Sequence, residues 1–281
     1  MTPEAPRIDD IEDVVFDVEA RAWPFAIDQG EAIDRHWEKL SGKNPHLFNG
    51  RVFLNFERRI EALDHDDLGL QQSKIVNVID SDNLERDAGG KPGAAFPPPA
   101  PGVRRVLRGT AAAVDFKAFL AWRDFGFPDG GVRNCFAVAA LLSADGAFML
   151  GRMSERTANA GKIYFPAGTP DLGDVKDGAL DLAGSAAREL FEETGIRADE
   201  VAFAPGWTVV FEEPRIACMK TARSPLTASE IEVRFKDFIA RQEAPELVAL
   251  HPVFSVRDLD EERMPGFTLR YLRHALSEES V

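Results

Sequence analysis

The sequence has little of what stabilises secreted, membrane or nucleic-acid-binding proteins. Two cysteines, Cys135 and Cys218, are too few for a disulfide framework and argue against a cysteine-based zinc site. No stretch approaches the roughly 18 apolar residues of a transmembrane helix. Lys and Arg number 33 against 47 Asp and Glu, and the resulting net charge of −14 repels nucleic acid at long range. These features predict a cytoplasmic protein that binds neither nucleic acid nor membrane.

The chain is long enough for one large domain or two ordinary ones, and 44% of its residues are hydrophobic. Residues 87–102 are rich in glycine and proline, which are disfavoured in helix interiors and central strands, so a loop or insertion is predicted there. We predict an N-terminal region over 1–108, containing this insertion, and a second domain over 109–281.

Hydrophobic periodicity and turn residues predict a mixture of helices and strands. The predicted helices are 28–40, 114–123, 183–195 and 229–241, and the predicted strands are 14–18, 51–56, 134–142, 147–153, 162–165, 208–211 and 216–222. The second domain therefore combines a hairpin, a helix and further strands.

The helix predicted over 183–195 carries three carboxylates. At 100° per residue, Glu189, Glu192 and Glu193 share an arc of about 100°. They repel one another, and a cation such as Mg²⁺, which prefers oxygen ligands, would remove that cost. The alternative is an ordinary solvated acidic face. The predicted core-facing residues of the helix are Ala183, Ala187, Leu190 and Phe191.

Arg188 lies four residues before Glu192 and can pair with it, and Gly195 is placed to end the helix. The string from Arg188 to Ile196, RELFEETGI, resembles the second half of the Nudix signature, G-x5-E-x7-R-E-U-x-E-E-x-G-U, where U is a bulky aliphatic residue. The preceding Phe165–Gly168, FPAG, is similar to the strand end that comes before the signature in this family.

The first half of the signature differs. Leu180 stands eight residues before Arg188, where the family has Glu, and Asp174 stands where it has Gly. If Gly168 is the signature glycine, the loop before the helix carries six extra residues. Asp177 or Asp181 could replace the missing Glu, and Asp181 could equally be the helix N-cap.

The resemblance implies a Nudix-type α/β/α sandwich with a mixed sheet, plus a smaller N-terminal portion. It implies hydrolysis of a nucleoside diphosphate linked to another moiety, with Mg²⁺ or Mn²⁺. Glu192 and Glu193 would be metal ligands, Glu189 a ligand or the base that takes the proton from water, and Arg188 the residue that orients them. Such enzymes often recruit a further carboxylate downstream, and the candidates are Glu212, Glu213, Glu230 and Glu232.

The expected substrate is a small nucleotide. A long region ahead of the domain is similar to Nudix enzymes that act on nucleotide sugars, ADP-ribose or NADH, and Trp23, Trp37 and Trp122 are candidates for stacking on a base. The segment with Arg152, Arg156, Gly161 and Phe165-Pro166 partly resembles coenzyme A diphosphatases, with Arg152 as a substrate-binding residue. A third alternative is a Nudix-fold nucleotide sensor without turnover. A homodimer is left open.

Overall fold

The computed structural model describes residues 5–45, 47–63, 104–157 and 159–278. The glycine- and proline-rich insertion predicted at 87–102 lies outside these residues. Across the described ranges, none of the helices combines the length and the apolar character that crossing a bilayer requires.

The described residues form an α/β structure with two mixed sheets. The helices are α1 (Pro24–Asp28), α2 (Gly30–Lys43), α3 (Phe116–Asp124), α4 (Leu182–Thr194), α5 (Ala228–Ile239) and α6 (Gly266–Glu278). The strands are β1 (Arg7–Ile11), β2 (Asp13–Val18), β3 (Arg51–Leu63), β4 (Arg104–Asp115), β5 (Asn134–Leu142), β6 (Phe148–Met153), β7 (Ile163–Tyr164), β8 (Ala167–Gly168), β9 (Val175–Lys176), β10 (Ala179–Leu180), β11 (Ala202–Phe203), β12 (Trp207–Glu212), β13 (Arg215–Arg223) and β14 (Leu247–Val253).

The larger sheet has nine strands and forms the centre of a sandwich. Its main order is β1-β12-β13-β5-β6-β14, with β13 parallel to β5 and the other neighbours antiparallel. One face packs against Leu182, Ala186 and Leu190 of α4, and the opposite face packs against Phe267 and Leu272 of α6. The predicted α/β/α sandwich with a mixed sheet is confirmed.

The smaller sheet has five strands in the order β3-β4-β2-β10-β9. Helices α1, α2 and α3 cover it, and Trp23 and Trp122 lie buried in the core between them, 3% and 0% exposed. These two side chains are not placed to stack on a nucleotide base. Trp37 packs partly buried against the same core. The boundary predicted between residues 108 and 109 falls inside β4, which belongs whole to this sheet.

Each of the four predicted helices and the longer predicted strands has a counterpart in the structure. The sequence does not predict the first strand, β1, which forms the edge of the larger sheet by pairing with β12. Strands β9 and β10 are two residues each, too short for a recognisable period, and they form through pairing with β2. Helices α1 and α6 and strands β4, β11 and β14 also have no counterpart among the predicted elements.

Candidate active site

Helix α4 begins and ends where local chemistry requires. Asp181 is its N-cap and accepts a hydrogen bond from Gly184 N at 2.8 Å. Gly195 follows the last turn with φ of 75°, a left-handed conformation that glycine adopts without steric cost, so its predicted role is confirmed. These two residues fix which turns of the chain are helical, and thereby the relative placement of the three glutamates.

The buried face of α4 differs from the predicted one. Leu190 is buried as expected, but Phe191 is 46% exposed and contacts Phe238 of α5 instead of the sheet core. Glu193, predicted on the solvent face, is only 7% exposed. The helix is rotated relative to the prediction because Ala186 and Leu182 continue the buried stripe with Leu190. The acidic face therefore borders the core, and the simple alternative of a solvated acidic helix face does not describe Glu193.

Glu193 lies between α4 and strand β8. Its Oε1 accepts a hydrogen bond from Ala167 N at 3.3 Å. Its Oε2 is buried and has no hydrogen-bond partner among the described residues. Burial, together with the charges of Glu189 and Glu246, raises the pKa of Glu193 well above its ordinary value. A buried carboxylate oxygen without a donor is costly unless a further group satisfies it.

Glu189 lies against the end of the same strand, and its side chain is 13% exposed. A methyl group placed on Gly168 would lie 2.5 Å from the carboxyl carbon of Glu189, so only glycine leaves room for the carboxylate at this position. Burial raises the pKa of Glu189 to about 7, and the charge of Arg188 opposes that rise. The glycine of the FPAG segment thus shapes the site directly.

Arg188 connects the carboxylates of α4 to the loop before the helix. Its Nη1 lies 2.9 Å from Glu189 Oε1 and 3.1 Å from Glu192 Oε2, which confirms the predicted pairing with Glu192. Its Nη2 donates to both oxygens of Asp174, at 3.0 and 3.2 Å. Glu192 is the most open of the three glutamates, with 54% of its side chain exposed.

Glu246 is a further carboxylate whose charge acts on these residues, and it is not among the candidates that the sequence suggests. Glu246 immediately precedes β14, and its charge raises the pKa of both Glu189 and Glu193. The sequence does not point to Glu246, because its pattern does not predict the strand at 247–253 that follows it. Tyr164, buried on β7, also lies within the field of Glu189, Glu193 and Glu246, which together with burial raises its pKa.

The four downstream candidates have other partners. Glu213 pairs with Arg58 and Arg133, Glu230 closes a capping box with Thr227, and Glu232 pairs with Lys236. Glu212 lies at the end of β12 beside Arg270 and Gly266. Their contacts are those of structural ion pairs and a helix cap, and the expectation that one of them completes the site stays a prediction.

The remaining predicted residues lie at the margin of the site or outside it. Arg152 is exposed on β6, where it pairs in register with Ala249 of β14, and its role in substrate binding stays a prediction. Asp177 is exposed in the turn between β9 and β10 with φ of 51°. Leu180 is buried, 7% exposed, in the core beneath α4.

The donor set suits a hard divalent cation. Within the part of the chain that the structure describes, no group of three or more His, Cys, Asp or Glu side chains is arranged so that it could hold a metal ion. Arg188 Nη1 provides the positive charge between Glu189 and Glu192 in this arrangement. The unpartnered Oε2 of Glu193 and the all-oxygen donor set fit a hard divalent cation, and such a cation would favour the ionised form of carboxylates whose pKa values burial raises.

Several known proteins are similar to parts of this chain. A curated protein-glutamate methylesterase/protein-glutamine glutaminase of Nitrobacter winogradskyi is 60% identical over 37 residues, 13% of this chain and 9% of that protein. The chain thus spans less than a tenth of that relative's length. A solved MutT protein from Methanosarcina mazei Go1 is 17% identical, with 53% of this chain and 95% of that chain covered at a TM-score of 0.35.

Two further solved structures are similar at the same level. A Nudix hydrolase from M. smegmatis is 16% identical over 52% of this chain and 87% of that chain, with a TM-score of 0.33. A C. elegans Ap4A hydrolase is 17% identical over 51% of this chain and 98% of that chain, also with a TM-score of 0.33.

The family assignment comes from the domain match. The family model for the NUDIX domain matches residues 132–272, half of the chain, and this range contains α4 with its glutamates, the FPAG strand end and both faces of the larger sheet. The chain therefore belongs to the Nudix family.

Proposed function

We propose that this chain hydrolyses the pyrophosphate bond of a nucleoside diphosphate linked to another moiety, such as a nucleotide sugar, ADP-ribose or NADH. Glu189, Glu192 and Glu193 would hold Mg²⁺ or Mn²⁺, and Glu246 would be the additional carboxylate. The observation that carries this proposal is Glu193, a nearly buried carboxylate with one oxygen lacking a partner, beside two further glutamates of the same helix.

The role of each residue follows from its position. Glu193 is held by the backbone of Ala167, so its free oxygen has a fixed direction. Glu192 is exposed and adaptable, which suits a ligand that joins when substrate arrives. Glu189 is either a further ligand or the group that accepts the proton from the attacking water. Arg188 fixes the spacing of Glu189 and Glu192.

A bound divalent cation would neutralise phosphate charge and lower the pKa of coordinated water. It would also reverse the local field, which is otherwise unfavourable for an anionic substrate on a chain of net charge −14. The substrate class is supported by the region that precedes the domain, an arrangement typical of Nudix enzymes acting on larger nucleotides. The cytoplasm, where such nucleotides are found, is the proposed location.

The test is hydrolysis of a panel containing ADP-ribose, NADH, a nucleotide sugar and coenzyme A, with Mg²⁺, Mn²⁺ or EDTA. Cleavage adds water across the P–O–P linkage and yields two phosphate monoesters, which chromatography separates. We expect a nucleoside monophosphate product that EDTA abolishes. Preference for coenzyme A would favour the diphosphatase alternative, and no product from any compound would contradict the proposal and favour the sensor alternative.

Glu193→Gln tests the metal role in the same assay. We expect turnover to fall by about 100-fold or more, because the fixed ligand is lost. Wild type should gain about 2.7 kcal/mol of unfolding free energy when free metal is a hundredfold above its Kd, and Glu193→Gln should gain much less. Glu31→Gln makes the same chemical change on α2, where the side chain is 93% exposed, and should behave as wild type. Equal metal-dependent shifts in all three proteins, or no shift in wild type, would contradict a metal site that uses Glu193.

A further inference from the structure

A carboxylate contacts Arg188 from a position that the family signature does not predict. The residue in the place of the signature Glu is Leu180, which is buried in the core. Asp174, six residues earlier, is itself 4% exposed and faces Arg188 with both oxygens, at 3.2 and 3.0 Å from Nη2. Asp181 and Asp177, the two replacements considered from the sequence, cap the helix and face solvent respectively. Among the described carboxylates of this loop, Asp174 is thus the one in direct contact with Arg188.

Asp174 is held firmly by its own segment. It ends a 3-10 helix over Leu172–Asp174, in which Asp171 Oδ1 accepts from Gly173 N at 2.7 Å and Asp174 Oδ2 accepts from Asp171 N at 2.9 Å. The backbone carbonyl of Asp174 accepts from Asp181 N at 2.7 Å, which ties the segment to the start of α4. The side chain therefore has little freedom to follow Arg188 if Arg188 moves.

The loop that carries Asp174 is also part of the smaller sheet. Phe53 N on β3 donates to Pro170 O, and Val18 N on β2 donates to Gly178 O, both at 2.8 Å. Strand β10 pairs with β2, and β9 pairs with β10. The extra loop residues thus form the edge of a sheet whose other strands come from the N-terminal part of the chain. That sheet determines where Asp174 lies.

The guanidinium of Arg188 divides its contacts between two groups. Nη2 is held by Asp174, and Nη1 reaches Glu189 and Glu192. If Asp174 lost its charge, Nη2 would be free to turn towards the same two glutamates and compete with a cation for them. Because the Asp174 carboxylate is buried, solvent screens its attraction for Arg188 less than it would at the surface.

We propose that Asp174, placed by the smaller sheet, is the positioning residue that holds Arg188 and thereby keeps the glutamates of α4 available for a metal. This inference rests on the proposed function and adds to it a task for the N-terminal part of the chain. The chain would need its second sheet for turnover even though that sheet supplies none of the proposed metal ligands.

The test measures Mn²⁺ affinity of the purified full chain by electron paramagnetic resonance of free Mn²⁺, together with kcat and KM for the best substrate of the panel. The variants are Asp174→Asn, Asp174→Glu, Arg188→Gln, the double variant of Asp174→Asn with Arg188→Gln, and Asp177→Asn. The last is the matched control, since it removes one carboxylate from the same loop at an exposed position whose left-handed backbone asparagine tolerates.

We expect Asp174→Asn to weaken Mn²⁺ binding by about 10- to 100-fold and to lower kcat similarly, with KM within about twofold of wild type. Asp174→Glu, which keeps the charge, should recover most of the Mn²⁺ affinity, and it also serves if Asp174→Asn does not fold. Asp177→Asn should stay within about twofold of wild type. When Arg188 is already Gln, adding Asp174→Asn should change Mn²⁺ affinity by less than about twofold, because the effect passes through Arg188.

A variant Asp174→Asn that unfolds at a lower temperature but binds Mn²⁺ as Asp177→Asn does would overturn the inference and leave a structural ion pair. So would an equal loss of Mn²⁺ affinity with and without Arg188. If wild type hydrolyses nothing on the panel while its Mn²⁺ affinity still depends on Asp174 in this way, the proposed function fails and the inference stands. If wild type is active and the Asp174 variants match the control, the proposed function stands and the inference fails.

Discussion

Helix α4 and the segment 169–181 before it form two halves of one site but obtain their structure in different ways. The helix depends on local features: a cap at Asp181, a glycine at Gly195 and an apolar stripe through Leu190. The segment before it has only two-residue strands and a single 3-10 turn, and it is held by β2 and β3 of the smaller sheet. The half that matches the family signature folds locally, and the half that departs from it depends on distant parts of the chain.

Gly168 immediately precedes this segment and lies against Glu189 of the helix, so a substitution there should affect turnover strongly. In Gly168→Ala the new methyl group would displace Glu189, since the two overlap in the present geometry. A shift of about 1 Å in a reacting group costs about 100-fold in rate, so turnover should fall by one to two orders of magnitude. The measurement is kcat with Mg²⁺, accompanied by thermal unfolding to separate misfolding from misplacement.

Gly130→Ala is the matched control, because a methyl group there meets nothing within 4 Å. It should leave kcat unchanged. If Gly168→Ala also retains full turnover, Glu189 has room to move without consequence, and the close fit between the strand end and the helix is not part of the site.

The extent to which sequence predicts this protein follows the same division. The helical conformation of α4, its closing glycine and the Arg188–Glu192 pair depend on residues close together in the sequence, and all three are confirmed. The burial of Glu193 depends on how the helix lies on β8, which no helical period specifies. Asp174 reaches Arg188 through strand pairings between distant parts of the chain. Non-local pairing, not weak local preference, limited the prediction.

At the C-terminal end of α4, the contribution of an ion pair to stability can be measured as a function of pH. Arg234 of α5 donates to Gly195 O at 2.8 Å and to both oxygens of Glu200 at 2.6 Å, and this pairing lowers the pKa of Glu200 to about 2. A carboxyl group whose pKa is lower when folded adds stability above its unfolded pKa, about 4.5, and loses it as pH falls towards 2.

Glu200→Gln should therefore cost about 1.5 kcal/mol of unfolding free energy at pH 7, and the cost should shrink steadily as the pH falls from about 5 to about 2. Gln can still accept the hydrogen bond from Arg197 N, so the variant isolates the charge. Urea unfolding at a series of pH values gives the difference from wild type. A cost that is the same at all pH values would mean that packing, not the ion pair, ties down this end of the helix.

The smallest expected effect is at the N-terminal end of the helix, where Asp181 satisfies Gly184 N and pairs with Lys176. Asp181→Ala removes the cap and should cost about 1 kcal/mol of unfolding free energy. Asp181→Asn keeps an acceptor for Gly184 N while removing the charge, and asparagine caps helices as well as aspartate does, so it should remain close to wild type. Both variants should keep kcat within about twofold, because Asp174, not Asp181, contacts Arg188. The measurements are urea unfolding and turnover on the same preparations.

A loss of turnover in Asp181→Ala without a loss of stability would instead place Asp181 in the site and restore it as the replacement for the signature Glu. Such a result would also weaken the contrast between the two halves, since a residue that begins the local helix would then carry the function assigned to the loop.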